Sequence, residues 1–324
     1  MIPVRVGLVG TGYAAKVRAE ALQADARSHL VAVAGHTPET TQAFSQTYQA
    51  EAVAAWEDLV ARADLDLIVI CNVNRDHGAI AHAALQTGKH VVVEYPLSLE
   101  VSEAETLIQL AARQGKLLHV EHIELLSGIH LAIKEQMAAI GTPFYVRYTS
   151  LNPQHPAPQK WTYHRQLFGF PLIGALSRLH RLTDLFGQVS SVSCQARFWE
   201  NAPSDFYTTC ICTAQLRFVS GLVAEVIYGK GEALWQGDRT LHIHGERGAL
   251  LVDGEQGKLV TAQETLELNL GSRRGLFAKD TDMVLDYLTT GAPLYITPER
   301  SLQSLRVADA ARRSAETGQT IELG

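Results

Sequence analysis

A short β-branched run, Val4 to Val9, breaks at Gly10-Thr11-Gly12-Tyr13-Ala14-Ala15 and continues as a helical stretch from Tyr13 to about Ala24. A buried strand that ends on Gly-x-Gly and opens directly into a helix restricts the fold more than any other feature of the chain. Gly10 permits the tight turn, and Gly12 lets a ligand approach the backbone. Ala15 stands where close helix–strand packing tolerates a methyl group. The free N–H groups and the dipole of such a helix start favour an anion. The turn therefore predicts a dinucleotide pyrophosphate held by Gly10, Thr11, Gly12, Tyr13 and Ala14. A bare structural turn fits this context less well.

The rest of the first third alternates in the same way. Apolar strands read at Leu30–Ala34, Leu65–Cys71, His90–Val93 and Leu117–Val120, with a short one near Ala50–Ala54, and helices lie between them. Strands separated by such helices imply right-handed crossovers and a doubly wound parallel sheet, a Rossmann domain over residues 1–123. The pattern then changes. One helix is expected over Glu124–Ile140. Strand-like segments follow at Phe144–Thr149, Val189–Phe198, Tyr207–Phe218, Leu222–Tyr228, Arg239–His244 and Ala249–Val252. Their polar alternation predicts a large, mainly antiparallel sheet. Helices are expected over Leu172–Phe186, Leu276–Thr290 and Pro298–Thr317. Residues 124–324 thus read as an α+β substrate domain, giving an α/β plus α+β chain.

With 324 residues, 46% of them apolar and 19% charged, the chain can bury two cores. Its net charge of −6 argues against a nucleic-acid partner. No apolar run approaches the ~20 residues of a membrane span, and the first residues carry no secretion signal, so the cytoplasm is expected. Cys210 and Cys212 share one strand face and read as packed core thiols. The histidines, His242 and His244 included, show no spacing that compels a metal. Oligomeric state is not legible.

The second strand runs into Gly35-His36-Thr37, with no carboxylate for a ribose 2′-hydroxyl. Thr37 and His36 could instead donate to a 2′-phosphate, which favours NADPH, with NADH as the weaker alternative. Asn72 and Val73, after the fourth strand, are further cofactor candidates.

The segment Lys89-His90-Val91-Val92-Val93-Glu94-Tyr95-Pro96 ends at the nicotinamide side of such a sheet. With the glycine turn and the closing Ser314-Ala315-Glu316-Thr317-Gly318-Gln319, it resembles the glucose–fructose oxidoreductase and inositol dehydrogenase family. That resemblance implies a Rossmann domain followed by a substrate domain with an open, largely antiparallel sheet. It also implies Glu-Lys-Pro and a downstream Asp/His constellation for deprotonating a sugar hydroxyl. Here Tyr95 replaces the lysine, and His180 and Asp184 do not have the family's mutual spacing.

Four segments instead match the biliverdin reductase branch of that family: Val93–Pro96, His119–Leu126, Phe168–Pro171, and Ser177-Arg178-Leu179 with Leu185-Phe186-Gly187. The branch implies hydride transfer from NADPH to the central methine carbon of biliverdin, a step of haem catabolism, with protonation of a pyrrole nitrogen. It makes Arg178 the first candidate near the substrate, pairing with a propionate or stabilising developing charge; a surface salt bridge is the alternative. Tyr95 would stack or hydrogen-bond near the reacting rings, or pack the cleft floor. Glu94 would orient the nicotinamide side. Glu121, His122 and Glu124 are substrate candidates, with a hydrogen-bonded structural role open for His122 and a helix-start role for the acids. The cluster Lys160–Arg165 reads either as a substrate contact or as a loop anchored by its aromatics. Two other functions stay open: a sugar or cyclitol dehydrogenase, and a non-catalytic dinucleotide-binding protein.

Overall fold

In the computed structural model, residues 2–200, 205–272 and 274–324 are described. In chain order the first elements are β1 (Val4–Val9), α1 (Tyr13–Gln23), β2 (Ser28–Ala34), α2 (Pro38–Tyr48), β3 (Glu51–Val53), α3 (Trp56–Ala61) and β4 (Leu67–Ile70). They continue with α4 (His77–Gln86), β5 (His90–Val93), α5 (Val101–Gln114) and β6 (Leu118–Val120). These six strands form one parallel sheet in the order β3-β2-β1-β4-β5-β6. Both faces are covered, which is why Leu67-Ile68-Val69-Ile70 is buried throughout rather than alternating. The strand order reverses between β1 and β4, and the crevice outside their carboxyl ends is the ligand position of such sheets.

Next come α6 (Gly128–Gln136), β7 (Pro143–Pro153), α7 (Arg165–Phe168), α8 (Pro171–Gly174), α9 (Ser177–Phe186), β8 (Val189–Trp199), β9 (Thr209–Phe218) and β10 (Val223–Gly231). The chain closes with β11 (Asp238–Gly245), β12 (Gly248–Asp253), β13 (Gln256–Thr261), β14 (Thr265–Leu268), α10 (Leu276–Thr290), α11 (Pro298–Thr317) and β15 (Ile321–Glu322). The second sheet has nine strands in the order β14-β13-β12-β11-β7-β10-β9-β8-β15. Among the described residues, only β7 with β10 is a parallel pairing in this sheet. Cys210 and Cys212 are both fully buried on one face of β9. His242 and His244 lie on β11 beside Arg147 and Tyr145 of β7.

The structure amends three expectations. Two compact units exist, residues 1–123 with 275–302, and residues 124–274 with 303–324. The expected domain over 124–324 therefore gives up Gly275–Leu302 to the first unit. The reason is packing: Val284 of α10 enters the core formed by Val6, Leu8, Leu30 and Val92, and Asp280 receives the buried Arg18. The helix expected over Glu124–Ile140 divides, because the Ser127 hydroxyl accepts from His130 N and caps a new start at Gly128. The helix expected over Leu172–Phe186 also divides. The Phe168 ring packs so closely on Gly174 that a Cβ there would lie 2.4 Å from it, and Ala175 leaves helical geometry.

Candidate functional site

The first unit supplies a cradle at the start of α1. Gly10 has φ +120°, and a Cβ there would meet the Cys71 carbonyl at 2.4 Å. Gly12 is different: a Cβ on it meets nothing within 4 Å. Gly12 is the N-cap of α1, with no side-chain capping bond and no acid in the first turn. The helix start is thus open and electropositive, which fits a pyrophosphate. The two glycines should fail differently. Gly10→Ala should cost about 1–3 kcal/mol of stability through backbone strain. Gly12→Ala should keep the wild-type melting temperature yet weaken cofactor binding about tenfold or more, about 1.4 kcal/mol. Thermal melts and nucleotide titrations check both.

Gly35 packs against Thr11 and Thr41, so the end of β2 is fixed beside the glycine turn. Thr37 is occupied in capping α2, its hydroxyl accepting from Thr40 N at 3.3 Å. His36 is exposed. The Asn72 side-chain oxygen, just past β4, is buried without a hydrogen-bond partner among the described residues. An orphaned acceptor at a strand carboxyl end fits a donor group of the nucleotide. The His77 ring nitrogens face the Asn72 and Pro96 carbonyls at 3.2 and 2.8 Å, tying the ends of β4 and β5 together.

Glu94 and Tyr95 emerge from β5 above a buried polar network. Arg18, 1% exposed, reaches Glu94 Oε1 through both Nε and Nη2 at 3.2 Å. It also bonds Asp280, and the Thr281 hydroxyl at 3.0 Å. Asp280 further bonds His119 Nε2 at 2.8 Å and accepts from Tyr295 OH at 2.7 Å. Burial alone would raise the Asp280 carboxyl, but Arg18, with His119 and Tyr295, holds it well below the usual carboxylate range. Glu121 behaves oppositely. Burial, reinforced by the charge of Glu94 and a hydrogen bond with it, pushes its carboxyl well above that range, against the pull of Arg18. Glu121 and His122 are each 1% exposed. The His122 ring stacks on Tyr95 at 5.5 Å and 8°, and its Nε2 bonds Ser301 Oγ at 2.8 Å. Both residues brace Glu94 and Tyr95 from below.

The second unit contains a pocket open to solvent. Arg178, Arg181, Arg239, Glu124, Tyr148 and Ser150 are among the residues that line it. Arg178 donates to Ser177 Oγ at 3.0 Å and to Ser150 Oγ at 3.4 Å, and lies 5.4 Å above the Tyr228 ring. Arg181 is buried and paired with Glu124 at 2.6 Å. Glu124 thus belongs to a different unit from Glu121, three residues earlier. Arg181 and Arg239 escape sequence reasoning, although Arg181 is one helical turn beyond Arg178, a spacing that puts both on one face. His180 bonds Ser304 Oγ at 2.7 Å, and Asp184 bonds His130 Nε2 at 2.8 Å and Lys134. Residues 160–165 are an anchored loop. Trp161 packs on Phe168, Tyr163 on Tyr207, and His164 caps α7.

Sequence comparison matches residues 4–122 to the GFO/IDH/MocA "Oxidoreductase family, NAD-binding Rossmann fold" and residues 134–323 to its "C-terminal alpha/beta domain". Among solved structures, the chain is similar to biliverdin reductase from Synechocystis sp. PCC 6803 in complex with biliverdin and NADP+. The two share 52% identity over 97% of this chain and 99% of that one, with a TM-score of 0.95. It is 30% identical to biliverdin reductase A of Mus musculus over 79% of this chain and 78% of that protein. It is 24% identical to inositol 2-dehydrogenase of Rhizobium meliloti (strain 1021) over 99% of both.

Proposed function

The chain belongs to the GFO/IDH/MocA family of oxidoreductases, and from that premise we propose that it is an NADPH-dependent biliverdin reductase. The observation that carries this reading is the pocket of the second unit, bordered by Arg178, Arg181 and Arg239. A flat tetrapyrrole with two propionates needs fixed cations beside its site. The similarity to the Synechocystis enzyme, whose structure contains biliverdin and NADP+, supports the same substrate and cofactor.

NADPH, when bound, supplies the hydride that reduces the central methine carbon. Gly10, Thr11, Gly12, Tyr13 and Ala14 hold its pyrophosphate, with Asn72, Val73, Glu94 and Tyr95 toward the nicotinamide. Hydride addition leaves negative charge across the conjugated pyrroles, and a proton must reach a ring nitrogen. Arg178 stabilises that charge in place. Its pKa above ~12 makes it a poor proton donor, so a water or a substrate group that it orients delivers the proton. Glu124, held by Arg181, accepts from pyrrole N–H groups. No alcohol is oxidised, so Tyr95 can replace a lysine at this position and present an aromatic surface. The free thiols Cys71, Cys194, Cys210 and Cys212 suit a cytoplasmic enzyme.

The test mixes protein, NADPH and biliverdin and follows loss of the biliverdin band and growth of bilirubin absorption. No conversion across pH, with inositol or a sugar oxidised instead, overturns the reading. His36→Asp should weaken NADPH binding about tenfold or more by opposing the 2′-phosphate, roughly 1.4 kcal/mol. NADH binding should change less, and titrations of both nucleotides check this. Equal weakening of both would remove His36 from cofactor selection.

A further inference from the structure

Lys230, on β10, is only 6% exposed, and its ammonium sits in an aromatic cage. Nζ lies 3.7 Å from the centre of the Phe168 ring, 4.7 Å from Tyr163 and 5.6 Å from Tyr207. It donates to the Thr162 carbonyl, which also accepts from Tyr207 OH at 2.9 Å. The amine therefore clamps the 161–168 segment onto the sheet. Phe168 carries the constraint onward, because its ring is packed on Gly174 with no space for a Cβ. Gly174 ends α8, Arg178 N bonds Ala175 O at 3.2 Å, and α9 begins at Ser177. Two residues before Lys230, on the same sheet face, Tyr228 lies under the Arg178 guanidinium.

We infer that Lys230 is a positioning residue for Arg178, its caged ammonium fixing the turn on which the start of α9 is seated. The inference rests on the reading of the pocket as the bilin site. An ammonium is needed for this clamp, since a neutral amine loses the attraction to the ring faces and weakens its bond to Thr162. Burial, joined by the charge of Arg178, lowers the Lys230 amine to about 8, against an opposing effect of Cys210. Further titratable or charged groups around it are Tyr163, Arg165, Tyr207, Tyr228 and Glu232. Tyr163 is pushed by burial up to about 12, Tyr207 is raised by burial, and burial also raises the Cys210 thiol. Lys230 is thus the member of the cage that loses its proton near pH 8. Below that pH the clamp is closed; above it the clamp loosens.

The experiment measures kcat with saturating NADPH and biliverdin from about pH 6 to 10, alongside KM for NADPH. The wild-type enzyme should lose turnover with a midpoint near 8. Lys230→Met, which fills the cage without charge, should lower kcat at neutral pH about tenfold and abolish that alkaline fall, leaving KM for NADPH unchanged. Lys230→Arg should restore most of kcat at neutral pH while still lacking the fall. Wild-type kcat and an unaltered alkaline limb in Lys230→Met would overturn the inference. A readout independent of turnover comes from Trp161, which packs on Phe168 at 6.0 Å. The fluorescence difference between wild type and Trp161→Phe should titrate near pH 8, and a flat difference overturns the clamp even if Lys230→Met does not fold. A wild-type protein inactive on biliverdin would defeat the functional reading alone, and the Trp161 titration would still decide the role of Lys230.

Discussion

Arg178→Ala is expected to lower kcat about 10²–10³-fold, the usual effect of removing one preorganised group that meets developing charge. Affinity for NADPH should be unchanged, because the nucleotide cradle lies in the first unit and Arg178 in the second. Arg181 is neutralised by Glu124 at 2.6 Å. Arg178 donates to the Ser177 and Ser150 hydroxyls and lies over the Tyr228 ring, contacts that orient its guanidinium. A planar cation held over an aromatic ring keeps its orientation while its field reaches the pocket. Arg178→Lys should recover part of the rate, since charge is kept and the fork is lost. Arg181→Ala should instead destabilise the second unit by leaving Glu124 without its cation. Steady-state and single-turnover kinetics with denaturant melts separate these cases. Turnover of Arg178→Ala within a fewfold of wild type would remove it from the mechanism.

Much of this architecture is legible in the sequence because it is written in local periodicities. The β1–α1 turn and the buried Leu67–Ile70 strand are set by residues close in the chain. The parallel β7–β10 pair is not, since about eighty positions separate its strands and no local pattern encodes which partner is chosen. The strands β13, β14 and β15 are short, and Thr265–Leu268 is largely exposed, so the alternation that would reveal them is weak. The candidate site divides in the same way. Gly10, Gly12, Glu94 and Arg178 follow from motif and position. Asp280 and Lys230 matter only through partners far along the chain, and single residues of their types carry no signal. Glu121 and Glu124 look alike in sequence, yet one is a buried acid beside Glu94 and the other a half-buried carboxylate paired with Arg181. Burial distinguishes them, and burial is a property of the fold.

Asp280→Asn is expected to cost about 3–5 kcal/mol of stability, because Arg18 would stay buried with most of its countercharge gone. Asp280 is wholly buried and serves Arg18, His119 and Tyr295 together. An amide cannot accept from all three, and its NH₂ would oppose a donor. The pH dependence has a definite sign. A carboxyl held below its unfolded value, about 3.9 for aspartate, stabilises fully above that value and progressively less as pH falls beneath it. Acid unfolding of the first unit should therefore begin as pH drops below about 4, and Asp280→Asn should flatten that dependence. The same residue separates stability from function. Arg18 also holds Glu94, so replacing the ion pair by Arg18→Met with Asp280→Leu should recover only part of the stability: the pair is removed whole, but His119 and Tyr295 lose their acceptor. It should not recover nicotinamide positioning, because Glu94 would lose the guanidinium that fixes it beside Glu121. Denaturant unfolding and NADPH titration of the single and double variants test both halves. An Asp280→Asn protein as stable as wild type would show that the network is not what retains α10 in the first unit.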